Sequence, residues 1–211
     1  MWVGDQNATR GATAGSVLSI LSAMSDRFFH LFETPVGPCA IAWGPDGLLA
    51  VRLPATEGAD LPSRMRKAVP GAEPGEPTGE AAAAIAGIRA LLAGDKRDLL
   101  EIRLDMAATG PFDLAVYAIA RAIPPGRTLT YGEVAKRMPL HVLGDMQPHT
   151  VPRAVGQALG RNPWPIVVPC HRVMAAGGGT GGFSAPGGVD TKLTLLRIEG
   201  AVVPAQQLGL F

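Results

Sequence analysis

The sequence predicts a mixed α/β (α+β) chain, with a small antiparallel sheet in its first half and short helices in its second. Three observations carry this. Residues 28–53 hold three apolar runs separated by the turn signals Pro35-Val36-Gly37-Pro38 and Gly44-Pro45-Asp46-Gly47, the pattern of a meander. Residues 80–93 read EAAAAIAGIRALLA and stop at Gly94, a run of helix formers with a glycine terminator. From Pro111 onward, short periodic segments alternate with Gly/Pro loops.

The remaining elements follow in order. Residues 63–68 are a short helical candidate among Pro and Gly, and Leu99–Leu104 alternates enough to predict a further strand. Pro111 is placed to open a helix to about Ile123, which Pro124-Pro125-Gly126 ends. Thr130-Tyr131-Gly132-Glu133 is a capping box opening a helix to about Met138. A loop rich in Pro, Gly and His spans 139–151, a helix Pro152–Leu159, and a last helix Thr191–Ile198. The segments 130–138 and 152–159 could form a helix-turn-helix, although the long loop between them departs from the tight form of that motif. Three units are expected: an N-terminal extension (1–26), an α/β domain (27–106) and a C-terminal domain (107–211).

Composition narrows the function. The 211 residues are 47% hydrophobic and only 18% charged, against roughly 25% charged in an average chain, which favours a packed core over disorder. The longest uncharged runs, 11–25 and 173–189, fall short of the ~20 apolar residues of a membrane span. Only Asp5 and Arg10 precede the mildly apolar stretch 17–24, so a secretory leader with a basic start is not expected. Two cysteines, Cys39 and Cys170, exclude a disulfide scaffold and a four-Cys zinc site, and a reducing, intracellular setting is expected. Net charge is +1, yet residues 1–106 carry net −3 and residues 107–211 net +4. That asymmetry is either chance or the mark of a second half that meets an anion.

The strongest local signal is Pro169-Cys170-His171-Arg172-Val173, preceded by the apolar run 165–168 and by Asn162-Pro163-Trp164. A lone Cys beside an apolar run is commonly a small buried hydrophobe. A His and an Arg directly after it favour thiolate instead, with His171 a candidate base and Glu199 the group that orients it. The stretch 177–182 matches G-x-G-x-x-G, but Phe183-Ser184-Ala185-Pro186-Gly187-Gly188 follows where a dinucleotide site needs a helix. A turned substrate loop and an ordinary surface loop remain the two readings. Cys39 is expected in the core. His30, His141 and His149 lack metal-ligand spacing.

With these residues in view, 111–201 closely resembles the O6-alkylguanine-DNA alkyltransferase family, the methylated-DNA–protein-cysteine methyltransferases. The matching pieces run from Pro125-Gly126 and Tyr131-Gly132-Glu133-Val134-Ala135, through Arg153-Ala154-Val155-Gly156 and Arg161-Asn162-Pro163, to residues 165–173. Gly182-Phe183, Lys192 and residues 195–200 complete them. The meander at 28–53 resembles the family's N-terminal domain more loosely. The resemblance implies a ribonuclease H-like first domain and a winged-helix-like second domain that uses a helix-turn-helix in the minor groove of double-stranded DNA.

It further implies base flipping, with Arg153 entering the duplex and Tyr131, Ala154, Gly156 and Gln157 contacting DNA. The alkyl group of O6-alkylguanine would pass irreversibly to Cys170. His171 acts as base through a water, Glu199 holds the imidazole, Asn162 braces the turn, and Tyr131 assists departure of the guanine oxygen. Trp164, Val168, Phe183, Ser184 and Lys192 would form the substrate pocket. No cofactor and no metal are implied, and a monomer in the cytoplasm with the nucleoid (or in a eukaryotic nucleus) is expected, with O4-alkylthymine a second candidate lesion. The segment between Ala135 and Arg153 and the loop between Phe183 and Lys192 are longer than the common pattern, and Phe183 stands where Tyr is frequent. Two other functions compete: a lesion sensor on the same scaffold that does not transfer alkyl groups, and a cysteine hydrolase using Cys170 and His171.

Overall fold

The computed structural model describes residues 26–54 and 60–202. The expected N-terminal extension therefore lies outside the described residues, apart from its last position, Asp26.

Strands β1 (Phe28–Phe32), β2 (Cys39–Gly44) and β3 (Gly47–Arg52) form the predicted meander, with both neighbouring pairs antiparallel. A short β4 (Glu73–Pro74) adds in parallel to β1, giving the order β3-β2-β1-β4. Gly47 makes the second turn possible. Its φ is +128°, and a Cβ there would lie 2.6 Å from the Arg103 carbonyl oxygen, so only glycine fits.

Side chains alternate across this sheet as strand geometry requires. One face carries Phe29, Ala40, Ala42 and Ala50, and packs against Leu61, Met65 and Val69 of helix α1 (Leu61–Ala68) and its exit. Asp60 caps that helix by accepting from the Ser63 amide. The other face carries Cys39, Ile41, Leu48 and Val51, and packs against Ala84, Ile88 and Leu91 of α2 (Gly79–Leu92).

The strand expected at Leu99–Leu104 does not form. Only Leu104 reaches a ladder, as an isolated bridge to Leu48. Leu99 adopts φ +58°, and Arg121 Nη2 draws in the carbonyls of Leu99, Leu100 and Ile102. Those carbonyls are turned toward one guanidinium, so they cannot line up for a neighbouring strand.

The second half is helical: α3 (Pro111–Arg121), α4 (Tyr131–Lys136), α5 (Leu140–Leu143), α6 (Val151–Gly160) and α7 (Gly188–Ile198). Helix α5 is a single turn inside the segment read as loop. The capping box is present in full: Thr130 N donates to Glu133 Oε2 (2.7 Å) and Glu133 N donates to Thr130 Oγ1 (3.1 Å). Helix α4 packs on α6, and α6 on α3. Helix α6 buries Val151, Val155, Ala158 and Leu159, one stripe at helical spacing, and leaves Arg153 and Gln157 outside that stripe. Two-residue strands β5 (Leu129–Thr130) and β6 (Val173–Met174) pair in parallel and tie the start of α4 to the segment just after Cys170.

One buried core runs through both halves. The Val51 amide donates to the Pro163 carbonyl (2.8 Å), Trp164 Nε1 donates to the Leu48 carbonyl (2.8 Å), and Tyr117 Oη donates to Ala158 O (3.0 Å). The first two bonds fix the Asn162–Pro169 loop against the sheet, and the third ties α3 to α6.

Candidate active site

The loop before Cys170 is built around one amide. Asn162 Nδ2 donates to Val168 O (2.8 Å), and its Oδ1 accepts from the Trp164 amide (2.9 Å). The Cys170 amide donates to Val168 O (2.8 Å), so both ends of the turn are held. Ile166, at φ +77° and fully buried, is a β-branched residue in the left-handed region. Such strain persists only where the surroundings dictate it.

Residues Cys170–Arg172 form one 3-10 turn that puts three successive side chains to separate uses. His171 Nε2 meets Glu199 Oε1 at 2.9 Å. Arg172 grips the same carboxylate at both oxygens, Nε to Oε2 (2.9 Å) and Nη2 to Oε1 (2.7 Å), while Nη1 donates to the Ile123 carbonyl. His171, Arg172 and Glu199 are all buried. Burial alone would raise the Glu199 carboxyl, but its bonds to His171 and Arg172 outweigh this and hold it at about 2. An ionised carboxylate only accepts, so Nε2 of His171 carries the proton. Nδ1 is then the unprotonated nitrogen, and it is buried without a hydrogen-bond partner among the described residues. Burial lowers the pKa of His171, keeping the ring neutral and able to accept a proton.

Cys170 is buried, which pushes its thiol up. Its hydrogen bond to Asn162 and the positive charge of Lys192 pull the other way. Lys192 donates from Nζ to Val173 O and Thr180 O (both 2.6 Å) and lies 5.8 Å from the Tyr131 ring centre. Burial brings its ammonium down to about 8.

A cavity of about 650 Å³ opens over Cys170, walled by α6, Tyr131 and the 182–184 loop. Tyr131 Oη donates to Gly182 O (3.4 Å), and burial raises its pKa, so it keeps its proton. The loop passes close to the ring: a Cβ on Gly181 (φ +67°) would sit 2.8 Å from Tyr131 Cε2. Gly177–Gly182 is thus a turned loop against the cavity wall.

Of the residues expected at the site, Cys170, Tyr131, Arg153, Gly156, Gln157, Phe183 and Ser184 line this cavity. Ala154 lies half-buried beside Arg153 on α6, while His171, Glu199 and Asn162 sit behind Cys170. Three of the expected pocket residues do not line this cavity. Trp164 is outside the wall, its indole bonded to the sheet and its edge on Tyr117. Val168 is fully buried and offers its carbonyl to Asn162. Lys192 lies beneath the wall, tied to backbone carbonyls. Arg172, read as a cation favouring thiolate, is instead taken up by Glu199. Pro152, Leu159 and Gly160, which the sequence did not single out for the site, also line the cavity. Their proximity to Arg153 on one helix was the available signal.

A buried cysteine followed by a neutral histidine bonded to a carboxylate, at a cavity bounded by α6, has the parts of a cysteine group acceptor. The family description "6-O-methylguanine DNA methyltransferase, DNA binding domain" matches residues 111–201. A Thermus thermophilus DNA base-flipping protein is 37% identical over 175 residues, covering 80% of this chain and 97% of the relative. A Methanothermobacter thermautotrophicus methylated-DNA–protein-cysteine methyltransferase is 30% identical over 191 residues, covering 90% and 96%. Among solved structures, Mycobacterium tuberculosis O6-methylguanine methyltransferase aligns with TM-score 0.61 at 30% identity, over 85% of this chain and 96% of the other. The Mycobacterium tuberculosis OGT in complex with DNA aligns with TM-score 0.61 at 29% identity, over 86% and 97%. The chain belongs to the methylated-DNA–protein-cysteine methyltransferase family.

Proposed function

We propose that this protein repairs O6-alkylguanine in duplex DNA by moving the alkyl group onto its own Cys170. The observation that carries the reading is the unprotonated Nδ1 of His171, buried without a partner among the described residues, on the residue after a thiol that lines a cavity beside α6. The carbon of an O6-alkyl ether is a poor electrophile and needs a thiolate. At rest the thiol is neutral; it loses its proton toward Nδ1 as sulfur attacks. The new bond is S–C, the broken bond is C–O6, and the electron pair leaves with the guanine oxygen, toward which Tyr131 can donate. The imidazolium so formed is stabilised by Glu199. The product is a thioether, so each molecule reacts once.

In this reading Arg153 and Gln157, on the open side of α6, face DNA. Arg153 occupies the space of the extruded nucleotide, and Ala154 and Gly156, being small, let the groove approach the helix. Residues 27–106 serve as support and 107–211 carry the chemistry. Among the described residues no helix is long and apolar enough to cross a membrane. A thiol that must stay reduced fits a cytoplasmic setting with access to DNA.

A second reading, base flipping and lesion binding without transfer, takes its ground from the Thermus thermophilus relative, a DNA base-flipping protein. Intact mass measured after incubation with duplex containing O6-methylguanine separates them. Transfer adds one methylene, mapped to Cys170; an unchanged mass with tight lesion binding would leave the sensor.

A further inference from the structure

The reactive thiol is reached from two sides. Beyond the C-terminal end of α6, a second cavity of about 260 Å³ shares Cys170, Phe183 and Ser184 with the first, and the sheet half contributes Arg52 and Arg64 to its wall. Both arginines are half-buried. Each spends one nitrogen on backbone: Arg52 Nη1 donates to Val51 O (2.8 Å) and Pro163 O (3.3 Å), and Arg64 Nη1 donates to Leu53 O (3.2 Å). Among the described residues no carboxylate lies within ion-pair distance of either. Arg161, on the same wall, is neutralised by Asp113. Two half-buried positive charges therefore share a cavity with no carboxylate among the described residues to balance them. Burial, and then the charge of Arg64, make the charged state of Arg52 harder to keep.

We propose that Arg52 and Arg64 form a phosphate site, which holds a phosphodiester of the DNA strand running on past the C-terminal end of α6. The guanidinium fork matches phosphate oxygens in pairs, and Nε and Nη2 of both residues are uncommitted among the described residues. The placement suits a duplex. Helix α6 has 10 residues, about 15 Å at 1.5 Å per residue, which spans roughly four base-pair steps of 3.4 Å. Gly160 lines both cavities, so a strand leaving α6 meets this mouth next. Residues 1–106 carry net −3 and repel DNA except where such a pair breaks the field.

The site rests on the alkyl-transfer reading, and its main test, affinity for unmodified duplex, is independent of transfer. Affinity of the full chain for an unmodified fluorescent duplex is measured over a chloride series. Arg64→Gln should lower the slope of log affinity against log salt by about one, and Arg52→Gln/Arg64→Gln by about two. Arg64→Lys should return most of the slope, because a point charge still displaces a counterion. Reaction with free O6-benzylguanine should be unchanged in Arg64→Gln, since the free base has no phosphates. An unchanged slope in both Gln variants, or slowed reaction of Arg64→Gln with the free base, would overturn the site. Failure of the wild-type chain to alkylate Cys170 would instead sink the functional reading.

Discussion

The two cysteines belong to one continuous core, and both are buried. Cys39 lies in β2 with Thr34 3.7 Å from its sulfur, and burial pushes it up to about 11. Cys170 is also pushed up by burial. Burial and pKa direction therefore do not separate Cys39 from the thiol proposed to react. The neighbours do. Cys170 faces a cavity, and behind it stand a neutral imidazole with an open nitrogen, a fixed carboxylate and the ammonium of Lys192. Cys39 faces packed aliphatic side chains. Reactivity here is a property of where the proton can go.

The sharpest way to break this comparison is to exchange sulfur for oxygen at each site. Cys170→Ser should abolish alkyl uptake while lesion binding persists, and Cys39→Ser should leave uptake intact. Mass spectrometry after exposure to methylated duplex reads both, and alkyl uptake at the substituted position of the Cys170→Ser variant would refute the assignment.

Next in size is the carboxylate. Glu199→Gln leaves Arg172 buried without its anion and should destabilise the fold by about 3–5 kcal/mol, as read by urea unfolding. The same group sets acid stability. Glu199 is held at about 2 in the fold against about 4.3 when unfolded. Its stabilisation is therefore complete above the unfolded value and is lost as pH falls toward 2. His171 acts in the same direction. Its pKa is lowered in the fold, so the unfolded chain takes its proton first, and stability declines as pH drops below about 6.5. Unfolding free energies measured between pH 7 and 3 should fall throughout, and a flat profile would contradict both.

His171→Ala removes the proton acceptor and should slow transfer by on the order of 100-fold. The loss should shrink as pH rises and hydroxide takes over deprotonation. A rate equal to wild type between pH 6 and 9 would take His171 out of the mechanism.

Smaller still is Arg153→Ala, expected to slow repair of duplex by about tenfold, or ~1.4 kcal/mol of transition-state stabilisation, with little effect on free O6-benzylguanine. Equal slowing on both substrates would mean that Arg153 supports the pocket and not extrusion.

Much of this is legible in the chain. The meander shows because turn residues punctuate it. The capping box shows because its spacing leaves the helix start few alternatives. The reactive turn shows because Pro, Cys, His and Arg stand in one run of four. Arg172 and Trp164 escape a sequence reading for the same reason as the segment Leu99–Leu104. Each makes its decisive contact with a residue far along the chain, namely Glu199, Leu48 and Arg121.

By itself the sequence determined most of the local elements, the candidate nucleophile and the family, since these depend on residue types within a few positions of one another. The tertiary structure decided which nitrogen of His171 is open and where the Arg172 charge is spent. It also decided that Lys192 sits under the pocket and that Arg52 and Arg64 share a cavity with Cys170. Those facts depend on directions of side chains brought together across 28, 27 and more than a hundred positions. A hydrogen bond or an ion pair is defined by distance and angle in space, and no local pattern of residues encodes them.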